Sequence, residues 1–342
     1  MSSIKQHISV LRIVVALVFI TVLLMPQLVS NRFILHTLFM ILIWSICGVG
    51  WNVLSGSTGQ MSLGHSLYFG VGAYVSTMLF MELRITPWVG IFAAAIVAGV
   101  LAFIFSRFMF KLSGFYFAIG TIALSEITFT LFMAWRYVGS ARGLLIPIYR
   151  GDFKFLVAMQ SNNAAPYIYT ALGVLVICLI GSNYLSRSRA GYYFRAIRDE
   201  AEAAESFGID LRKYKTIAYM YSAVFCAMAG VLYAHYAYYI DPDSVMHNRI
   251  AVQIAIVAIL GGIGNLWGPI IGATVLVAVS EFARLNLGGT GQAVDLLIYA
   301  MFIIIFAVFQ PHGIIGMINS IIQKFKSIKK AEPAKAVQEG ED

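Results

Sequence analysis

The chain has 342 residues, 60% of them apolar and only 12% charged. That is about half the charged fraction of a soluble domain, which excludes an ordinary globular protein and, with apolar runs recurring throughout, predicts an all-α polytopic membrane protein. The formal net charge of +8 sits mostly in short connections and the tail, a pattern that orients a protein in a bilayer and does not point to nucleic acid.

Hydropathy predicts about ten spans. The first, 10–29, is too long for a signal core and lacks an Ala-x-Ala site, so it is expected to stay in the chain. The second is 33–54. A glycine-rich stretch follows, with Asn52, Ser55, Gly56, Thr58, Gly59, Gln60, Ser62, Gly64 and His65. A regular span would not tolerate that density. Irregular backbone at membrane depth survives only when buried in protein or lining a wet cavity, so the stretch is a broken helix beside a pathway or a turn at the membrane edge. Asn52, Gln60, Ser62 and His65 are the candidate path residues here. His65 has no metal-ligand partner at suitable spacing, and no metal or cofactor is expected.

The third span, 61–82, carries Gly72/Ser76 and Ala73/Thr77, small residues at spacing four that suit close helix packing. Thr86-Pro87 opens the fourth, 88–108. The fifth, 115–135, contains Glu126 in mid-run. A carboxylate there costs about 3 kcal/mol unless paired or wet. It is either a pathway group or a structural hydrogen-bonding group. A polar connection, 136–165, leads to the sixth span, 167–185.

The segment 187–215 is the least membrane-like of the chain. It holds Arg187, Arg189, Arg195, Arg198, Arg212, Lys213 and Lys215, with Asp199, Glu200, Glu202, Glu205 and Asp210 among them. Asp199 with Glu202 reads as an N-terminal capping pair and Gly208 as a C-terminal stop. Between them a helix of about two turns, roughly 12 Å long, is predicted. Its small side, Ala201, Ala204 and Gly208, would allow close approach to a partner. Such a helix does not stand alone in water.

The seventh span, 216–240, ends in Tyr233, Tyr236, Tyr238 and Tyr239, which read as an interfacial aromatic belt. The eighth is 245–260. A second break, Gly261, Gly262, Gly264 and Gly268, reads as a tight turn before the ninth span, 269–285, with Gly268 and Gly272 as a close-packing pair. Glu281 and Arg284 lie near a helix end, where they can snorkel. A turn at 288–291 precedes the tenth span, 293–309. Residues 1–320 are expected to form one transmembrane domain and 321–342 a charged tail. Cys47, Cys178 and Cys226 lie in apolar runs and make no disulfide framework.

An even number of spans puts both termini and 187–215 on one side, and the basic bias makes that side cytoplasmic. Arg136, Arg142, Arg150 and Lys154 weigh against it. No G-x-x-x-x-G-K-S/T phosphate loop occurs, so the chain is not expected to hydrolyse ATP itself. A membrane enzyme would need a paired nucleophile and base, which the sequence lacks. An ion-coupled secondary transporter using Glu126 remains open.

Three stretches together carry a resemblance. The run Trp51 to His65 followed by Phe69 to Tyr74, the run Arg195 to Ile209, and Gly261–Gly264 with Gly268-Pro269 and Gly272 resemble the branched-chain amino acid permeases of ATP-binding cassette importers, in their LivM-like type. The likeness covers about 52–316 of the chain. Tyr68 and Ser66 depart from the family's aliphatic or alanine residues. The resemblance implies a type II-like permease in the inner membrane. It implies pairing with a second homologous permease, two cytoplasmic ATPases and a periplasmic substrate-binding protein. It places ATPase coupling at Ala201, Ala203, Ala204, Glu205, Phe207 and Gly208. Urea and short-chain amide permeases share these motifs, so the solute stays open.

Overall fold

The computed structural model describes residues 23–29 and 31–287, together with 297, 300–301 and 313–317. Most of the expected first and tenth spans, the 288–291 turn and the charged tail lie outside the described residues. Among the described residues eight helical spans are long and apolar enough to cross a bilayer. They correspond to the expected second to ninth spans.

The first three are α1 (Arg32–Thr58), α2 (His65–Leu83) and α3 (Pro87–Met109), followed by α4 (Phe115–Ala134). Asn31 caps α1 by accepting from the Phe33 N–H at 2.9 Å. Pro87 stands at the start of α3, where a missing N–H costs nothing. The polar connection then forms a strand β1 (Leu144–Leu145) and a short helix α5 (Lys154–Ala158) before α6 (Ala165–Arg187). The charged segment splits into α7 (Arg189–Asp199) and α8 (Ala201–Ser206), and α9 (Leu211–Ala237) returns through the bundle. Strand β2 (Tyr239–Ile240), α10 (Pro242–Val245), α11 (Asn248–Gly261) and α12 (Gly268–Leu287) complete the described fold. β1 and β2 pair antiparallel, Leu144 opposite Ile240, and tie the polar connection to the far end of α9.

The centre is α9, which packs along α1, α2 and α3. Two-thirds of the most apolar window of α1, α2 and α9 is buried inside the chain, against 22% for α4. The bundle is thus dense around α9 and open along α4. The close approach of α2 to α9 has a simple cause. A side chain at Gly72 would run into the Ala227 backbone, and one at Gly230 into the Phe69 carbonyl. Backbones meet there with no side chain between, as small-residue crossings in membranes allow. Ser76 adds a hydrogen bond to His235 Nε2 at 2.9 Å.

The expected aromatic belt is largely an internal cluster. Tyr236 stacks on Phe39, with ring centroids 4.1 Å apart, and hydrogen-bonds His36 at 2.9 Å. Tyr238 meets Tyr167 through their hydroxyls at 3.0 Å. Only Tyr239 is exposed. Aromatic side chains at a helix end serve tertiary packing as readily as an interface. Near the end of α12, Arg284 and Glu281 pair at 3.1 Å.

Candidate functional site

The two glycine-rich breaks and the charged segment lie far apart in sequence and meet at one end of the bundle. The meeting begins where α1 stops. Gly59 takes φ +72°, a left-handed turn that glycine adopts without strain. The chain then folds back into the bundle, and Ser62, Gly64 and His65 are buried. Backbone groups in such a place need partners, and side chains of neighbouring helices supply them. Trp51 Nε1 donates to the Ser62 carbonyl at 2.7 Å. The Ser55 hydroxyl donates to the Gln60 carbonyl at 2.9 Å. The Leu63 N–H donates to Thr121 Oγ1 of α4 at 3.0 Å. A side chain at Gly64 would strike the Thr121 carbonyl.

His65, fully buried, sits between Ser62 at 3.1 Å and Ser222 of α9. Its two ring nitrogens are both hydrogen-bonded, so it joins the break to the central helix. Gln60 is half-buried, and its Oε1 has no hydrogen-bond partner among the described residues.

The second break is a turn between α11 and α12. Gly264 is left-handed at φ +79°. Asn265 Oδ1 accepts from the Trp267 N–H at 3.0 Å. Gly261 and Gly268 lie in backbone contact, and Gly272 packs on the Val257 carbonyl. The reading of a turn followed by tight helix packing holds.

Asn52 joins the two breaks. Its Oδ1 accepts from the Gly264 N–H at 2.8 Å, and its Nδ2 donates to the Asn265 carbonyl at 2.8 Å. Gly56, one turn on, leaves the space through which Gly264 reaches Asn52. Arg198, in the last turn of α7, completes the junction. Its Nη1 donates to the Gly56 carbonyl at 3.3 Å, and its aliphatic stem lies over Gly59.

The charged segment differs from expectation at two places. Asp199 does not cap the second helix. It is the last residue of α7 and takes the Arg198 guanidinium at 3.2 Å, while Glu200 stands at the N-cap of α8 without a side-chain cap bond. A neighbouring cation outcompetes the backbone N–H groups for this carboxylate. Ala204, expected on a partner-facing side, is 3% exposed and packs on the chain itself, as do Phe194 and Ile197. Small residues suit close packing against the chain's own helices as well as against a partner. Ala201 is half-buried, and Ala203, Glu205 and Gly208 are exposed. Gly208 ends α8 at φ +81°, as its sequence predicts. Phe207 is 87% exposed.

Glu126 stands apart from this junction. On α4, Thr121 and Ser125 face inward, and Ser125 bonds Ser66 at 2.7 Å. Glu126, one residue on, points away from the chain's core and is exposed, with no ion pair among the described residues.

Sequence reading singled out Asn52, Gly56, Gly59 and Gly264 one stretch at a time. It gave no sign that they touch, and it gave Arg198 no role of its own. The Asn52–Asn265 bond spans 213 positions, beyond the reach of any local pattern.

The family described as branched-chain amino acid transport system / permease component matches residues 33–306. The LivM permease protein of the high-affinity branched-chain amino acid transport system of Escherichia coli K12 is 27% identical over 86% of this chain and 72% of its own length. The LivH permease protein of Salmonella typhimurium is 24% identical over 80% of this chain and 91% of its own. Among solved structures, PsaBC from Streptococcus pneumoniae in complex with Fab aligns with 82% of this chain and 93% of its own at 16% identity and a TM-score of 0.45.

Proposed function

Because the chain belongs to the branched-chain amino acid transport system / permease component family, we propose that it forms half of the translocation path of an importer for branched-chain, hydrophobic amino acids. It is a multi-pass inner-membrane transport subunit of an ATP-binding cassette system and is not itself an enzyme. Its partners are a second homologous permease, two cytoplasmic ATPases and a periplasmic substrate-binding protein. Relatives named LivM and LivH, both permease proteins of one kind of system, support the permease pairing. The 1–320 region is the membrane domain, 321–342 its tail, and both termini lie in the cytoplasm with 187–215.

One observation carries the coupling assignment. Phe207 is 87% exposed directly after α8, on the charged segment. A large apolar side chain held out in a polar, water-facing segment marks a contact surface, and aromatic anchors dominate such contacts. The coupling face is therefore Ala203, Glu205, Phe207 and Gly208, with Ala201 at its edge and Ala204 holding the helix to the chain from within. The open face of α4, with Glu126, faces the second permease and the path between the two.

Phe207→Asp tests the docking face. The variant should insert normally and lose at least ten-fold in co-purified ATPase. Undiminished co-purification and uptake would remove α8 from the contact. Orientation has its own check: a cysteine at Asn162, and none at Ser206, should react with an impermeant reagent on intact cells. The reverse pattern would invert the topology.

A further inference from the structure

Arg198 occupies a position that docking does not explain. It lies in the final turn of α7, three residues before Ala201 opens α8. Its side chain turns away from α8 toward two other elements. The Gly56 carbonyl that accepts from Nη1 at 3.3 Å is among the last four of α1, which have no acceptor role inside the helix. A guanidinium at this end also meets the negative pole of the helix dipole. A side chain at Gly264 would stand 3.3 Å from Nη1, and one at Gly59 3.2 Å from Cγ. The planar fork is held from its other side by Asp199, with Nε at 3.3 Å and Nη2 at 3.2 Å from the same oxygen. Gly264 is in turn fixed to α1 by Asn52.

We infer that Arg198 is a positioning residue that ties α8 to both glycine breaks and transmits its displacement to the end of α1 and to the 261–268 turn. The inference rests on the docking of partner ATPases at α8 proposed above. When α8 is displaced, the short link through Asp199 and Glu200 leaves Arg198 no slack. The guanidinium then pulls on the Gly56 carbonyl or leaves it, and in either case the first break and the second break respond together because Asn52 joins them. Lysine cannot serve equally. It offers one compact charge and no fork to hold Asp199 and Gly56 at once.

The test uses the permease assembled with its ATPases in vesicles. Arg198→Ala, Arg198→Lys and Gly264→Ala are compared with the unaltered chain for co-purified ATPase, ATP hydrolysis and solute taken up per ATP. Spin labels at Glu202 and, separately, at Met61 report whether α8 and the first break each respond to nucleotide trapping. Met61 is exposed and lies inside the first break. The expected result for Arg198→Ala is retained ATPase and a retained response at Glu202. The response at Met61 should be lost, and uptake per ATP should fall ten-fold or more. Arg198→Lys and Gly264→Ala should show the same split to a smaller degree, and they decide the matter where the alanine variant does not accumulate. Unchanged uptake per ATP with an unchanged Met61 response overturns the tie. So does loss of co-purified ATPase from Arg198→Ala, which would make Arg198 part of the docking face. Failure of the docking proposal itself would show differently, as no response at Glu202 in the unaltered chain.

Discussion

The two glycine-rich breaks look alike as sequence and are built differently. The 261–268 break is a self-contained turn. Its bonds run largely within it, from Gly268 N–H to the Asn265 carbonyl at 3.2 Å and from Trp267 N–H to Asn265 Oδ1 at 3.0 Å. The 59–64 break makes almost no bonds of its own. Its backbone is satisfied by Trp51, Ser55 and Thr121, side chains of α1 and α4. One break therefore carries bonds of its own beside the two that Asn52 of α1 adds. The other exists only while separate helices stay in place around it. In a transporter that distinction separates a rigid corner from a segment able to rearrange when helices move.

Three substitutions sharpen or break this contrast. The largest effect belongs to Gly64→Val, which drives a branched side chain into the Thr121 backbone. Overpacking against backbone that cannot yield should cost about 3 kcal/mol. The chain should fail to accumulate or lose its folded form early in a detergent thermal melt. A normal melt would mean that α4 is not firmly seated on this break. Asn52→Ala comes next. It removes both bonds that join the breaks and leaves the Gly264 N–H without its partner, while the Asn265 carbonyl keeps the Gly268 N–H, a loss of about 1–3 kcal/mol. The melt should shift clearly while membrane insertion stays normal. The smallest effect is expected for Asn265→Ala, which removes one bond inside the self-contained turn, about 0.5–1 kcal/mol. A cost from Asn265→Ala equal to that from Asn52→Ala would erase the proposed difference between the breaks.

Much of the fold was legible because spans advertise themselves by length and apolarity. The helices from Arg32–Thr58 to Gly268–Leu287 begin and end within a few residues of the expected limits. Gly208 was readable as a stop and Gly59 and Gly264 as parts of the glycine-rich breaks, and all three take the left-handed backbone that selects glycine. Facing was harder. Ala204 has the right size to meet a partner, and the same size lets it meet the chain's own helices. Only the packing of α7 and α8 against α1 and α9 decides between them. Asp199 had two possible partners, the backbone ahead and the arginine behind, and the sequence does not rank them. Tyr236 could have faced lipid until Phe39 and His36 were seen beside it. The junction itself depends on contacts across most of the chain, and Glu126 shows its outward direction only once Ser125 is fixed against Ser66.

The bond between His65 and Ser222 has a consequence for how the protein is made. The two residues are 157 positions apart. At about 5–20 residues per second of synthesis, α2 therefore leaves the ribosome about 8–30 s before the helix that receives its histidine. Through that interval the small face of α2 and the ring nitrogen of His65 lack their α9 partners. Lateral release of α2 into lipid during that time would leave a polar ring without its Ser222 partner, a state the hydrocarbon disfavours. The contacts of α2 with α9 can therefore form only late in synthesis, and α9 is the helix whose arrival completes the centre of the bundle.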